Sequence, residues 1–160
     1  MDNVIGAVAH YGYPFAADNM HHTAVGQMEI GTTIGANIGN KDYNPLHPCS
    51  VSVIGNDIYV TYDINIAPLV IDTTTVESQA NYGFHLYSDD DVNVEVSIIT
   101  SVSIVESNVV KISCSESPAG LKLAYALGSA QYQRKGNIRD SQTTNISNTY
   151  NWAYIFKIEL

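Results

Sequence analysis

The chain is short of charge, and shortest of positive charge. Only 14% of its 160 residues are Asp, Glu, Lys or Arg, against the usual quarter or so, and 7 basic residues facing 16 acidic ones leave a formal charge of −9. Nucleic acid and anionic lipid are both held through Lys and Arg, so this balance argues against either partner; neutral or basic partners, uncharged glycans among them, stay open. Cysteine is nearly missing. Cys49 and Cys114 fall on separate predicted strands without metal-like spacing, which predicts buried free thiols rather than a bridge. The five histidines, His10, His21, His22, His47 and His85, lack the paired spacing of a zinc site on one element, so neither metal nor cofactor is expected. Asp89, Asp90 and Asp91 read as a solvated turn, because calcium needs about 6–8 oxygen ligands drawn from several segments. No run approaches the ~20 apolar residues of a spanning helix, and no basic start leads into an apolar stretch. No membrane insertion is expected, and export would have to proceed without a leader in this chain.

What is plentiful is Ser, Thr, Asn, Val, Ile and Tyr, a composition of strands joined by polar turns. With 45% hydrophobic residues the length suffices for one well-buried core. Val51 and Val53, then Ile58, Val60, Tyr62 and Ile64, alternate with smaller or polar residues around Gly55-Asn56-Asp57, a hairpin pattern. Further strands are predicted at Pro68–Asp72, Gly83–Tyr87, Val92–Thr100, Ser101–Val105, Val109–Cys114, Leu121–Ala126 and Trp152–Ile158. Eight or nine short strands predict an all-β, antiparallel, jelly-roll-like β-sandwich over residues 41–160. Ahead of it, Val4–Ala9 reads as a short strand, and a helix is predicted from Thr23 to about Ile38 with Val25, Met28, Ile30, Ile34 and Ile38 roughly on one face. Its glycines each cost about 1 kcal/mol, so this helix needs something to pack on. The polar, proline-bearing stretch from Gly39 to Pro48 marks the boundary between units 1–40 and 41–160.

The first unit holds a pattern with chemistry in it. In Tyr13-Pro14-Phe15-Ala16-Ala17-Asp18-Asn19-Met20-His21-His22-Thr23-Ala24-Val25-Gly26, an acid and a histidine three residues apart can face one pocket from a loop leading into a helix. The acid would orient the imidazole that deprotonates a serine. The bland alternative is an aspartate capping a helix beside an exposed histidine. The aromatic-proline loop, the Asp-x-x-His, the Thr and the Gly together resemble the last conserved block of SGNH (GDSL-type) hydrolases. That resemblance implies Asp18 as the orienting acid, His21 as the general base, Thr23 at the helix start and Gly26 at a small packing position. It also implies a serine in a Gly-Asp-Ser block far upstream and oxyanion donors from separate Gly and Asn blocks. Only seventeen residues precede Asp18, and none is a serine. Without a nucleophile and an oxyanion hole the terms that lower an acyl-transfer barrier are missing. Residues 1–40 are therefore expected to be the end of an SGNH domain, and the chain the C-terminal piece of an esterase-bearing protein rather than an enzyme by itself.

A second resemblance spans about residues 45 to 160. Pro68-Leu69-Val70-Ile71-Asp72-Thr73, Tyr82-Gly83-Phe84 and the loop Gly136-Asn137-Ile138-Arg139-Asp140-Ser141, followed by Asn151-Trp152, look like the β-sandwich that follows an esterase domain in phage tail-fibre and tailspike proteins and in some bacterial sialate-esterase-like proteins. It implies a virion tail module, typically homotrimeric or associated with a longer tail chain, that binds bacterial surface polysaccharide; a secreted bacterial protein is the alternative. Arg139 and Asp140 could rim a sugar through directional hydrogen bonds, and Tyr132 and Trp152 could stack on one, while an internal ion pair and core aromatics are the plainer roles. The enzymatic alternative is a polysaccharide O-acetylesterase in which Asp18 and His21 complete a triad whose serine lies outside this chain, with no cofactor.

Overall fold

Strict alternation builds the central pair of the largest sheet. In the computed structural model, which describes residues 8–18, 20–39, 45–88, 95–127, 135–143 and 150–160, Ile58, Val60 and Tyr62 point inward from one strand and Val110, Ile112 and Cys114 from its neighbour. In chain order the described helix and strands are α1 (Ala24–Gly39), β1 (Pro48–Ile54), β2 (Asp57–Tyr62), β3 (Val70–Ile71), β4 (Phe84–Tyr87), β5 (Ile99–Glu106), β6 (Val109–Cys114), β7 (Lys122–Tyr125), β8 (Ile138–Thr143), β9 (Tyr150–Trp152) and β10 (Phe156–Glu159).

They form three antiparallel sheets, ordered β1-β2-β6-β5, β10-β7-β4 and β3-β8-β9. The result is an all-β sandwich with a single described α-helix, the fold class predicted from composition. The β1-β2 hairpin pairs Ile54 with Asp57, so Gly55 and Asn56 make the turn and Gly55 takes a left-handed φ of 61°. Facing sheets enclose one core in which Tyr62, Phe84, Leu123, Tyr125, Ile138 and Trp152 are almost wholly buried.

Four expectations for the strands and cysteines need correction. Gly136 to Ser141 is not a loop throughout, because from Ile138 it runs as β8, the central strand of its sheet, with Asp140 turned inward. The single strand predicted over Trp152–Ile158 divides into β9 and β10: the Ala153 N–H bonds to Ile138 O and the Tyr154 N–H to Leu46 O, so the chain leaves one sheet before joining another. The two strands placed at Val92–Thr100 and Ser101–Val105 become one strand starting at Ile99, its register against β6 shifting between Ile99 and Ser101 and between Ile104 and Glu106, with residues 92–94 outside the described region. Cys49 is exposed on β1, whereas Cys114 is buried on β6. Both are free, and β2 lies between their strands, about 10 Å of sheet that a disulfide cannot span.

The helix buries the expected apolar face only in part, Ile30 and Ile34 being half-buried. Gly26, Thr33 and Asn37 are its buried positions, while Val25, Met28 and Ile38 are exposed, Ile38 to 78%. Thr33 is accommodated because its hydroxyl donates to Glu29 O at 2.9 Å within the helix. Of the predicted strand Val4–Ala9, residues 4–7 lie outside the described region, as do Asp89 to Asp91 and Tyr132.

Candidate functional site

The segment between Ala9 and α1 is an arm held at both ends. Its inner end, a 3-10 turn over His10–Gly12, sinks into the sandwich. The Tyr11 hydroxyl donates to Ala153 O and meets the Tyr125 hydroxyl at 3.0 Å, and the Tyr125 oxygen also accepts the Ile138 N–H at 2.9 Å. Burial, followed by the neighbouring Tyr125, pushes the Tyr11 phenol well above its usual range. Gly12 lies flat against Trp152, where a Cβ would come within 2.2 Å of the indole.

The outer end closes into a tight loop before the helix. Ala16 N–H donates to His21 O at 2.7 Å, Phe15 and His22 form a bridge, and their rings lie 4.2 Å apart. Thr23 Oγ1 accepts the Gly26 N–H at 3.0 Å and caps α1. Gly26 lets the helix touch the arm: a Cβ there would stand 2.4 Å from Pro14 O.

Asp18 and His21 are brought together at the tip. Asp18 Oδ1 accepts the backbone N–H groups of Met20 and His21, each at 3.0 Å, and Oδ2 accepts from His21 Nδ1 at 2.7 Å. The His21 side-chain contact, reinforced by the two backbone donors, holds the Asp18 carboxyl far below the ordinary carboxylate range. A carboxylate can only accept, so Nδ1 carries the proton, and in the neutral ring the lone pair lies on Nε2. The His21 side chain is 72% exposed, and no hydroxyl among the described residues occupies Nε2. Such a pair can orient a base and stabilise its protonated form, but a nucleophile must come from elsewhere. His22 turns inward; burial lowers its pKa despite the contact to Pro14 O at 3.3 Å.

The residues weighed as sugar contacts, Arg139, Asp140 and Trp152 among them, take part in internal contacts. Arg139 Nε donates to Asp72 Oδ2 at 2.8 Å, Nη1 donates to Asp140 O, and the guanidinium lies 3.9 Å over the Tyr150 ring. Asp140 is fully buried; burial raises its pKa, opposed by the Asn151 amide and the Gln142 N–H. Trp152 is walled in by Gly12, Tyr11 and Tyr150. Asp140 and Trp152 are thus buried, and Arg139 half-buried, in contacts that tie strands and arm together. Next to them, buried Asn137 donates to Asp72 O, Val76 O and Glu77 O and accepts from Gln79 N–H, fastening the loop after β3. Nothing in a single Asn announces that role. Tyr11 was equally silent in the sequence, one tyrosine among eleven. Among the described residues no group of three His, Cys, Asp or Glu side chains could hold a metal ion.

The fold is similar to the crystal structure of a carbohydrate acetylesterase from Xanthomonas citri, with a TM-score of 0.57 and 12% identity over 87% of this chain. The chain spans 29% of that protein's length, and at such identity the likeness is one of fold. No family model and no curated protein sequence matches the chain.

Proposed function

We propose that this chain supplies the acid-base half of a serine-dependent carbohydrate O-acetylesterase. Asp18 orients His21, and His21 Nε2 takes the proton of a serine hydroxyl from outside the chain as its oxygen attacks the acetyl carbonyl. The imidazolium then returns that proton to the departing sugar oxygen, and water, deprotonated by the same nitrogen, releases acetate from the serine. No cofactor enters. The observation that carries this reading is the 2.7 Å Asp18–His21 contact on an exposed arm, with Nε2 unengaged among the described residues. Its test begins with the DNA upstream of Met1 read in frame. A Gly-Asp-Ser block there, in a protein that releases acetate from acetylated polysaccharide and loses about a thousandfold or more in kcat on His21→Ala, is the expected result. Unchanged turnover in that variant would overturn it.

A second reading draws on exposed Val25, Met28 and Ile38. In a phage tail fibre or tailspike those side chains would meet other subunits of a homotrimer presented to bacterial polysaccharide, whereas in the esterase the remainder of the hydrolase domain would cover them. Light scattering on the isolated chain separates the two: a stable trimer favours the tail module, a monomer the esterase.

A further inference from the structure

The arm that carries Asp18 and His21 also walls a cleft of about 530 Å³ that neither residue lines. The volume is within the ~300–1,000 Å³ usual for ligand sites. Phe15 comes from the arm, Glu29 from α1, Thr75 and Glu77 from the turn after Asp72, and Lys135 from just before β8. The Phe15 ring is half-buried, with Lys135 Nζ 5.8 Å from its centroid. Asn137 and Asp72 hold the turn rigid from beneath.

The hydrogen-bonding capacity of this lining is lopsided. The carboxylates of Glu29 and Glu77 have no hydrogen bond or ion pair among the described residues, and each is acceptor-only. The Thr75 hydroxyl spends its proton on Asp72 Oδ2 at 3.0 Å, leaving only lone pairs for a guest. Among the described lining residues, Lys135 is the one cationic donor against two anionic acceptors. Such a cleft matches a guest rich in donors, with a flat face to lie against Phe15, and repels polyanions. A sugar ring offers both the donors and the face, and an amino sugar adds an ammonium for the carboxylates.

We propose that this cleft is a glycan subsite that selects amino-bearing and neutral sugars over acidic ones. The choice of a glycan rests on the esterase reading above; the selectivity rests on the lining alone. Isotope-labelled chain would be titrated by NMR with glucosamine, cellulose-derived and galacturonate oligosaccharides, and with spermidine. The expected result is shifts confined to the amides around Phe15, Thr75, Glu77 and Lys135, strongest with the glucosamine oligosaccharide and absent with the galacturonate. Glu77→Gln should weaken glucosamine binding about tenfold with the melting temperature unchanged. Absent or scattered shifts with every sugar, equal binding of the galacturonate, or a response to spermidine only would each overturn the proposal. Binding is read on the chain alone and needs no serine, so failure of ester hydrolysis in the longer protein would sink the esterase assignment and leave the cleft standing.

Discussion

Asp18 gathers three hydrogen-bond donors onto one exposed carboxylate, two of them backbone N–H groups of the residues it helps to place. Its folded pKa is depressed, so the contribution of this contact is complete above the ordinary carboxylate value of about 3.9 and is lost as pH falls from there through the lower folded one. A carbon-detected titration of Asp18 should therefore find its midpoint below that ordinary value, and His21→Ala should move it upward; a midpoint near 4 in the intact chain would mean that the pair does not form in solution. Asp72 follows the same sign from inside the protein: burial works to raise its pKa, but donors from Thr75, Arg139 and Thr74 outweigh it and hold it low. Removing that carboxylate strands Arg139 and two threonine N–H groups, and Asp72→Ala should cost about 3 kcal/mol in denaturant unfolding. The deficit should shrink as pH falls below the unfolded carboxylate value, since protonation then costs the parent protein the same contact. The two thiols separate more simply. Cys49 should react with a thiol reagent in the folded protein, and Cys114, buried and with its pKa raised by that burial, only on unfolding.

Elements differ in how plainly they could be read. The β1-β2 and β5-β6 hairpins were legible because one face of each meets the core and the other meets water, which leaves a period of two in the residue order. β8 was not, because its inward Asp140 and half-buried Arg139 are polar and their partners, Asn151 and Asp72, are distant in sequence. The helix shows the reverse failure. Its existence could be read from spacing, but its orientation could not, since Thr33 and Asn37 face the sandwich while Val25 and Met28 face out. The Asp18–His21 pairing was legible from spacing plus resemblance, whereas Tyr11 and the cleft required the third dimension. Contact between arm and helix runs through Gly26, and Gly26→Ala should push Pro14 away, costing about 1–3 kcal/mol and altering the amide shifts of Ala16 and Thr23. Unmoved shifts would show that the arm adapts without the helix.

On the scale of the whole molecule, one aromatic cluster joins the ends of the chain. Tyr11, Tyr125 and Trp152 bury one another, so the loop bearing Asp18 and His21 stands on the sandwich core and not beside it. Tyr11→Ala should lower amide-exchange protection at Ala16 and Thr23 together with that at Ile138, and cost about 3–5 kcal/mol overall; protection lost from the arm alone would mean that arm and sandwich open independently. The partners of Tyr11 lie 114 and 142 residues downstream. During synthesis at ~5–20 residues per second, the arm emerges on the order of ten seconds before Ala153 exists to receive it. A segment made early is thus among the last to take its place, and the Asp18–His21 pair cannot stand on its finished support until Ala153 has followed it out of the ribosome.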